Sequence, residues 1–155
     1  KNKMKLPIDV VKINYISFQN VVKKRMKFHY SQMEANLDQF ISGIVESGHN
    51  LEWPFFYSLN NTPLDEIMDV EMFMPISNTI CNLYGYEFSS YFEIENLLKT
   101  VVKGNFYTMT EQGFAKLMIS LEENDFDIVT PFYHFFPKDG LNYLELLVGY
   151  SDISE

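Results

Sequence analysis

Two amphipathic helices can be read from the pattern of apolar and polar positions. After Ser31, apolar residues recur at steps of three and four, the spacing of one helical face. That face comprises Met33, Leu37, Phe40, Ile41 and Ile44. The matching face after Thr108 comprises Phe114, Leu117, Met118 and Leu121. A glutamate three residues after Ser31, and another three residues after Thr108, predict a capping box at each helix start, although Thr110 could cap the second helix instead.

Strands are predicted on both sides of each helix. Extended stretches precede the helices at residues 15–28 and 92–103, and a Pro-aromatic segment follows them at Pro54 and Pro131. After a turn-rich segment, residues 69–74 and 143–148 alternate as half-buried strands do. Their apolar sides carry Val70, Met72 and Met74, and Leu144, Leu146 and Val148. Their other sides carry Glu71 and Phe73, and Tyr143 and Glu145.

The two halves agree in register. Ser31 and Thr108, like Pro54 and Pro131, lie 77 positions apart, and no gap is needed from Tyr30 through Tyr57. We therefore predict one α+β domain over residues 1–155, a tandem duplication of a strand-helix-strand-strand unit. The pseudo-repeats cover about 8–76 and 92–151, and linker 77–91 joins them. Because one half alone has too little core, both halves are expected to form a mostly antiparallel sheet with the two helices on one face.

Composition and charge narrow the choice of partners. The net charge is −9, from 12 basic and 21 acidic residues. Because nucleic acids and anionic membranes bind basic surfaces, neither is expected as a partner. A single cysteine, Cys81, and three scattered histidines predict neither a disulfide nor a metal or cofactor site. No apolar run reaches the ~18 residues of a membrane span, and no signal peptide is recognisable, so a cytoplasmic location is expected.

The two strand glutamates are the candidate chemistry. A carboxylate among aromatic residues at a strand centre needs a reason, because burial without a partner is costly. Glu71 and Glu145 could lie on a wet sheet face, could pair with a neighbouring Lys or Arg, or could bind a cationic ligand by charge and cation–π contact. Their matched places in the two halves favour the third reason somewhat.

Residues 68–76 (MDVEMFMPI) carry a resemblance to a known family. Together with the duplicated plan, they resemble the GyrI-like domain, the effector-binding domain of AraC-type and multidrug-sensing transcription regulators, here in a stand-alone version. In that family the corresponding strand of the second half bears a central ligand-contacting Glu, which maps onto Glu145. Residues 147–150 (LVGY) depart from the family's aromatic-aliphatic-Pro ending.

The resemblance implies a small-molecule binding protein with an aromatic, acidic groove between the halves. The candidate ligand-binding residues are Glu145, Glu71, Tyr143, Phe73, Tyr133, Tyr57 and Trp53. The expected ligand is small and cationic or aromatic.

Two other functions stay open. The same face could bind a protein partner or a second copy, as in an accessory protein of a bacterial toxin or secretion gene cluster. An enzyme is the weakest reading, because no Ser-His-Asp or Cys-His spacing argues for a nucleophile, and no catalytic residue is assigned.

Overall fold

The order of elements along the chain is strand, helix, strand, strand, and then the same again. The computed structural model describes residues 4–61, 65–77, 82–104, 106–138 and 143–152. Within these ranges the strands are β1 (Val10–His29), β2 (Phe55–Leu59), β3 (Ile67–Pro75), β4 (Glu87–Lys103), β5 (Phe126–Phe136) and β6 (Tyr143–Asp152). The helices are α1 (Met33–Glu46) and α2 (Phe106–Glu123). The predicted α+β class with a mostly antiparallel sheet is confirmed, whereas the duplication itself stays a prediction.

The chain divides into two compact units. The first unit is Ser17–Glu93, and the second unit is Lys1–Ile16 together with Ile94–Glu155. Strand β1 therefore begins in the second unit and continues in the first, and β4 does the reverse. Strand β4 also begins at Glu87, inside the segment predicted to link the halves. Cys81 and parts of both predicted hairpin turns lie outside the described residues.

The first unit is built on β3, which pairs with β1 on one side and β2 on the other, so the strand order is β1-β3-β2. Val70, Met72 and Met74 are fully buried. Helix α1 covers that face with Phe40, whose ring lies 6.1 Å from the ring of Phe55. The predicted apolar sides of strand and helix thus meet in the core.

The start of α1 differs from the prediction. A 3-10 turn (Tyr30–Gln32) comes first, and His29 caps it, since its Nδ1 accepts the Ser31 N–H at 3.2 Å. Ser31 is therefore inside the turn rather than the cap of the α-helix. An imidazole nitrogen can take the role that the capping-box prediction gave to a hydroxyl, which is why the Ser/Glu pattern misplaced the start.

The second unit has the strand order β4-β6-β5, with Leu97 opposite Gly149 and Phe135 opposite Glu145. Helix α2 begins at Phe106, two residues before the predicted cap. It buries Phe114, Leu117 and Leu121, as predicted, but Met118 is 47% exposed. Within the described ranges, neither helix is long and apolar enough to cross a membrane.

An N-terminal segment, residues 4–10, crosses α2 and reaches β4. The Asn124 side chain, just past the end of α2, accepts from the Lys5 N–H at 2.7 Å and donates to the Lys5 carbonyl at 2.8 Å. Asp9 forms an ion pair with Lys116, and its carbonyl accepts from the Thr100 hydroxyl at 2.9 Å. These contacts fix β4 at Thr100, which is the residue next to Lys99.

Candidate functional site

The pairing register separates two faces of the sheet in the second unit. A Cβ on Gly113 of α2 would lie 3.1 Å from Leu146, so the even-numbered residues of β6 face the helix. The odd-numbered residues face the other way, with Phe135 directly opposite Glu145 and Lys99 opposite Leu147. We call this surface the Glu145 face. It consists of Lys99, Val101, Tyr133, Phe135, Tyr143, Glu145 and Leu147.

Most residues of the Glu145 face are apolar or aromatic, and its two charged residues are Lys99 and Glu145. Tyr133, Phe135 and Leu147 are each less than a tenth exposed. Glu145 and Tyr143 are half-buried beside them. The structure thus brings three predicted site residues of the second unit, Tyr133, Tyr143 and Glu145, onto one face.

Glu145 is held by an ion pair. Lys99 Nζ lies 3.0 Å from Glu145 Oε2, and the two side chains are 25% and 35% exposed. Lys99 reaches across the strands diagonally, because its direct neighbour on β6 is Leu147. Of the three reasons considered for a strand glutamate, a neighbouring cation is therefore present here.

The first unit carries the matching surface, which we call the Glu71 face. It consists of Lys23, Arg25, Phe56, Ser58, Glu71 and Phe73. The Phe56 and Phe73 rings stack at 4.6 Å with an interplanar angle of 5°. Phe18 and Phe92 approach these rings with centroid distances between 5.1 and 5.4 Å. Phe73 is thus 3% exposed, and four phenyl rings fill this face beside Glu71.

The cation on the Glu71 face is bound elsewhere. Arg25 is the direct neighbour of Glu71 on β1, yet its guanidinium makes a two-point contact with Asp69 at 3.0 and 2.8 Å. The hydrogen bond from Arg25 holds the pKa of Asp69 below its usual range. Among the described residues, no ion pair links Glu71 to Lys23, which is the sequence counterpart of Lys99.

Two predicted site residues do not join Glu71 and Phe73. Tyr57 pairs with Met72 and therefore lies on the helix side of the sheet, where burial raises its pKa. Trp53 is half-buried just before β2, with a positive φ of 54° and a cis peptide bond to Pro54. The sequence prediction included Tyr57 because it is aromatic. In β2, however, Tyr57 lies on the same face as Phe55, which is the helix side, and Phe56 lies on the opposite face.

The described residues offer little catalytic chemistry. His134 is buried on the helix side of β5, and burial lowers its pKa to about 3, so it stays neutral. His29 lies 2.8 Å from the Ser31 hydroxyl, but the same Nδ1 accepts the Ser31 backbone N–H, which is a cap rather than a nucleophile–base pair. Across the part of the chain that the structure describes, no group of three or more His, Cys, Asp or Glu could hold a metal ion.

Lys99 is the residue that sequence reasoning missed. In the sequence it is only the last residue of the segment 96–99 (NLLK), which is similar to the segment 20–23 (NVVK). The signal that could have found it is parity: on antiparallel strands, a lysine two places from the residue opposite a glutamate lies on the same face and within reach of it.

Several solved structures share the fold. The cryo-EM structure of the EcmrR–DNA complex in EcmrR-RPo matches with a TM-score of 0.73 and 18% identity, over 93% of this chain and 57% of that one. The crystal structure of the EcmrR C-terminal domain matches with a TM-score of 0.71 and 14% identity, over 93% and 96%. A hydrolase from Listeria innocua matches with a TM-score of 0.64 and 9% identity, over 95% and 94%. At these identities the likeness shows the fold alone.

The sequence comparisons add a family. No curated protein matches the chain. The chain spans little more than half of the EcmrR chain seen in the DNA complex. The model of a family described as "Domain of unknown function (DUF5085)" matches residues 17–148.

Proposed function

The chain belongs to the DUF5085 family, whose description assigns no function, and we propose that it binds small cationic or aromatic molecules through the Glu145 face. The single observation that carries this proposal is the Glu145–Lys99 ion pair. Its two side chains are 25% and 35% exposed, and it lies beside the buried aromatic side chains of Tyr133 and Phe135. A carboxylate with an aromatic surround attracts organic cations by charge and by the negative faces of the rings.

The resemblance to the GyrI-like effector-binding domain supports the same proposal. Its motif, residues 68–76, supplies most of β3, and Glu145 lies near the start of β6, the strand for which the resemblance predicts a ligand-contacting residue. The fold shared with the EcmrR C-terminal domain is consistent with this membership, which we propose on the motif and the fold together. That the site forms a groove between the halves stays a prediction.

Thermal unfolding with a panel of cationic aromatic dyes tests the proposal. A dye that binds the folded chain should stabilise it by about 2.7 kcal/mol when its free concentration is 100 times its Kd. Glu145→Gln should lose most of this stabilisation, because the amide keeps the shape and removes the charge. The exposed Glu122→Gln on α2 is the matched control, with the same chemical change away from the face. Equal stabilisation of the Glu145→Gln and parent chains would contradict the proposal.

A second candidate is a protein-interaction role, as an accessory protein of a bacterial toxin or secretion gene cluster or as a homodimer. The observation that favours it is that four phenyl rings fill the Glu71 face, with Phe56 and Phe73 0% and 3% exposed, which leaves little room for a small ligand beside Glu71. Light scattering on the purified chain and co-purification from its host test this role. A monodisperse monomer with no bound partner would count against it.

A further inference from the structure

We propose that Lys99 is a built-in competitor for Glu145, so that a ligand binds the second unit by displacing the lysine ammonium with a positive charge of its own. The inference rests on the proposed function and adds the residue that sets its charge selectivity. The ligand class becomes narrower: a single positive charge on a flat apolar body.

The ion pair has the geometry of a displaceable contact. Lys99 Nζ and Glu145 Oε2 are 3.0 Å apart, and a quarter of the Lys99 side chain is exposed. Lysine is a point charge on a flexible four-carbon stem, so its ammonium can turn into water while the strand stays in place. A partly exposed ion pair contributes little to stability, so a ligand cation can replace it at small cost.

The surroundings of Glu145 favour an aromatic cation over the lysine. Its direct neighbours across the strands are Val101 on β4 and Phe135 on β5, both apolar. Tyr133 continues the aromatic surface, with its ring centroid 6.4 Å from that of Phe135. Tyr133 and Phe135 are 7% and 4% exposed, whereas Val101 is 39% exposed, so a ligand with a flat body can pack against Val101 at the edge of the aromatic side chains while its charge meets the carboxylate. Lys99 lies opposite Leu147 and reaches Glu145 diagonally, so it contributes a charge but no flat apolar surface.

The first unit lacks this arrangement because its ion pair lies two residues further along the strands than the ion pair of the second unit. Arg25 pairs with Asp69 there, and the sequence counterparts of these two residues in the second unit are Val101 and Tyr143, which cannot form an ion pair. Glu71 therefore has a cation beside it that is already bound, and phenyl rings fill its face. Within the described ranges, a carboxylate paired with a flexible lysine on an aromatic strand face occurs in the second unit alone.

Fluorescence titration with thioflavin T tests the inference, because this dye is a flat aromatic cation. Its uncharged analogue, which lacks the N-methyl group, is the matched ligand control. Lys99→Met keeps the length of the stem and removes the charge, and we expect it to bind thioflavin T about two- to fivefold more tightly than the parent chain at low salt. The uncharged analogue should bind both chains equally, and the difference for thioflavin T should shrink in high salt.

Two further variants make the result specific. Lys27→Met makes the same change of net charge at an exposed position of β1 in the first unit, and should bind thioflavin T as the parent chain does. Adding Glu145→Gln to Lys99→Met should abolish the gain, since the competitor matters only while the carboxylate is present. Melting curves of each variant without dye establish that it is folded.

The outcomes separate the two proposals. Glu145-dependent binding that Lys99→Met leaves unchanged, or that Lys27→Met raises as much, would overturn the role of Lys99 and keep the proposed function. If neither the parent chain nor Lys99→Met binds any cationic dye in a Glu145-dependent way, the proposed function itself fails, and the inference fails with it.

Discussion

His134 shows how burial alone changes the chemistry of one side chain. It lies on the helix side of β5, 3% exposed, with its ring edge against Phe114 at 5.6 Å. Charging an imidazole there would cost desolvation energy, which is why its pKa falls to about 3. It shares its strand face with Phe132 and Phe136, a setting typical of a packed histidine rather than of a catalytic base.

This burial predicts an acid-dependent loss of stability. The pKa of His134 is lowered on folding, from a usual value of 6.5, so below pH 6.5 the unfolded chain binds a proton that the folded chain does not. The folding equilibrium constant should therefore fall by up to about tenfold per pH unit between pH 6 and 4. His134→Phe should flatten this slope. Urea unfolding at several pH values measures it, and equal slopes for the two chains would contradict the account.

At the scale of elements, α1 is fixed to its unit by a contact that helix propensity would not suggest. Gly43 lies in the middle of α1, where glycine costs about 1 kcal/mol relative to alanine. A Cβ there would overlap the Tyr86 hydroxyl. That hydroxyl donates to the Phe40 carbonyl at 3.0 Å, and the Tyr86 ring stacks on Phe40 at 5.5 Å. The glycine therefore marks a close approach between helix and tyrosine.

This contact predicts a reversal of sign in a double-mutant cycle. Gly43→Ala should destabilise the chain by about 1–3 kcal/mol, because the new methyl group forces Tyr86 away. In a Tyr86→Ala background the same substitution should stabilise by up to about 1 kcal/mol, since only helix propensity remains. Chemical denaturation of the four chains gives both values. Stabilisation by Gly43→Ala in both backgrounds would rule out the clash.

The elements also show what could be read from the sequence and what could not. Periodicity found both helices and the buried stripe through Leu117, but it placed Met118 inside. A helical stripe is about a third of the circumference wide, and its centre is set by where the helix touches the sheet. Here that point is near Gly113, whose Cβ would lie 3.1 Å from Val102 and Leu146, and Met118 turns outward as a result. The mid-helix glycine is the available signal.

The ending of β6, which departs from the family motif, has a physical reason of the same kind. Gly149 stands where the first half has Pro75. Its N–H donates to the Thr130 hydroxyl at 2.8 Å, and a Cβ there would lie 2.5 Å from the Thr130 methyl. Proline has no N–H and could not make this bond. The change of motif thus follows from a local contact with β5, which a sequence pattern without the pairing register does not reveal.

At the scale of the whole molecule, the two halves share backbone conformations at matching positions, but their ion pairs lie at different positions. Asn20 in β1 and Asn96 in β4 head the echoed segments, and both adopt left-handed conformations, with φ of 57° and 56°. Asparagine is among the few residues that tolerate this region, so the match supports the proposed duplication. The ion pairs differ by two residues along each strand, and side-chain pairing of that kind depends on register rather than on residue type. The absence of a nucleic-acid partner stays a prediction from net charge.

The most direct test of the central claim is to map where a cationic dye binds, by backbone amide and side-chain methyl NMR of the labelled chain titrated with thioflavin T. The account predicts that the largest shift changes cluster on the Glu145 face, at the amides of Lys99 and Phe135 and the methyl groups of Val101 and Leu147. Saturable changes confined to the Glu71 face or to the outer surface of α2, with the Glu145 face unaffected, would contradict it.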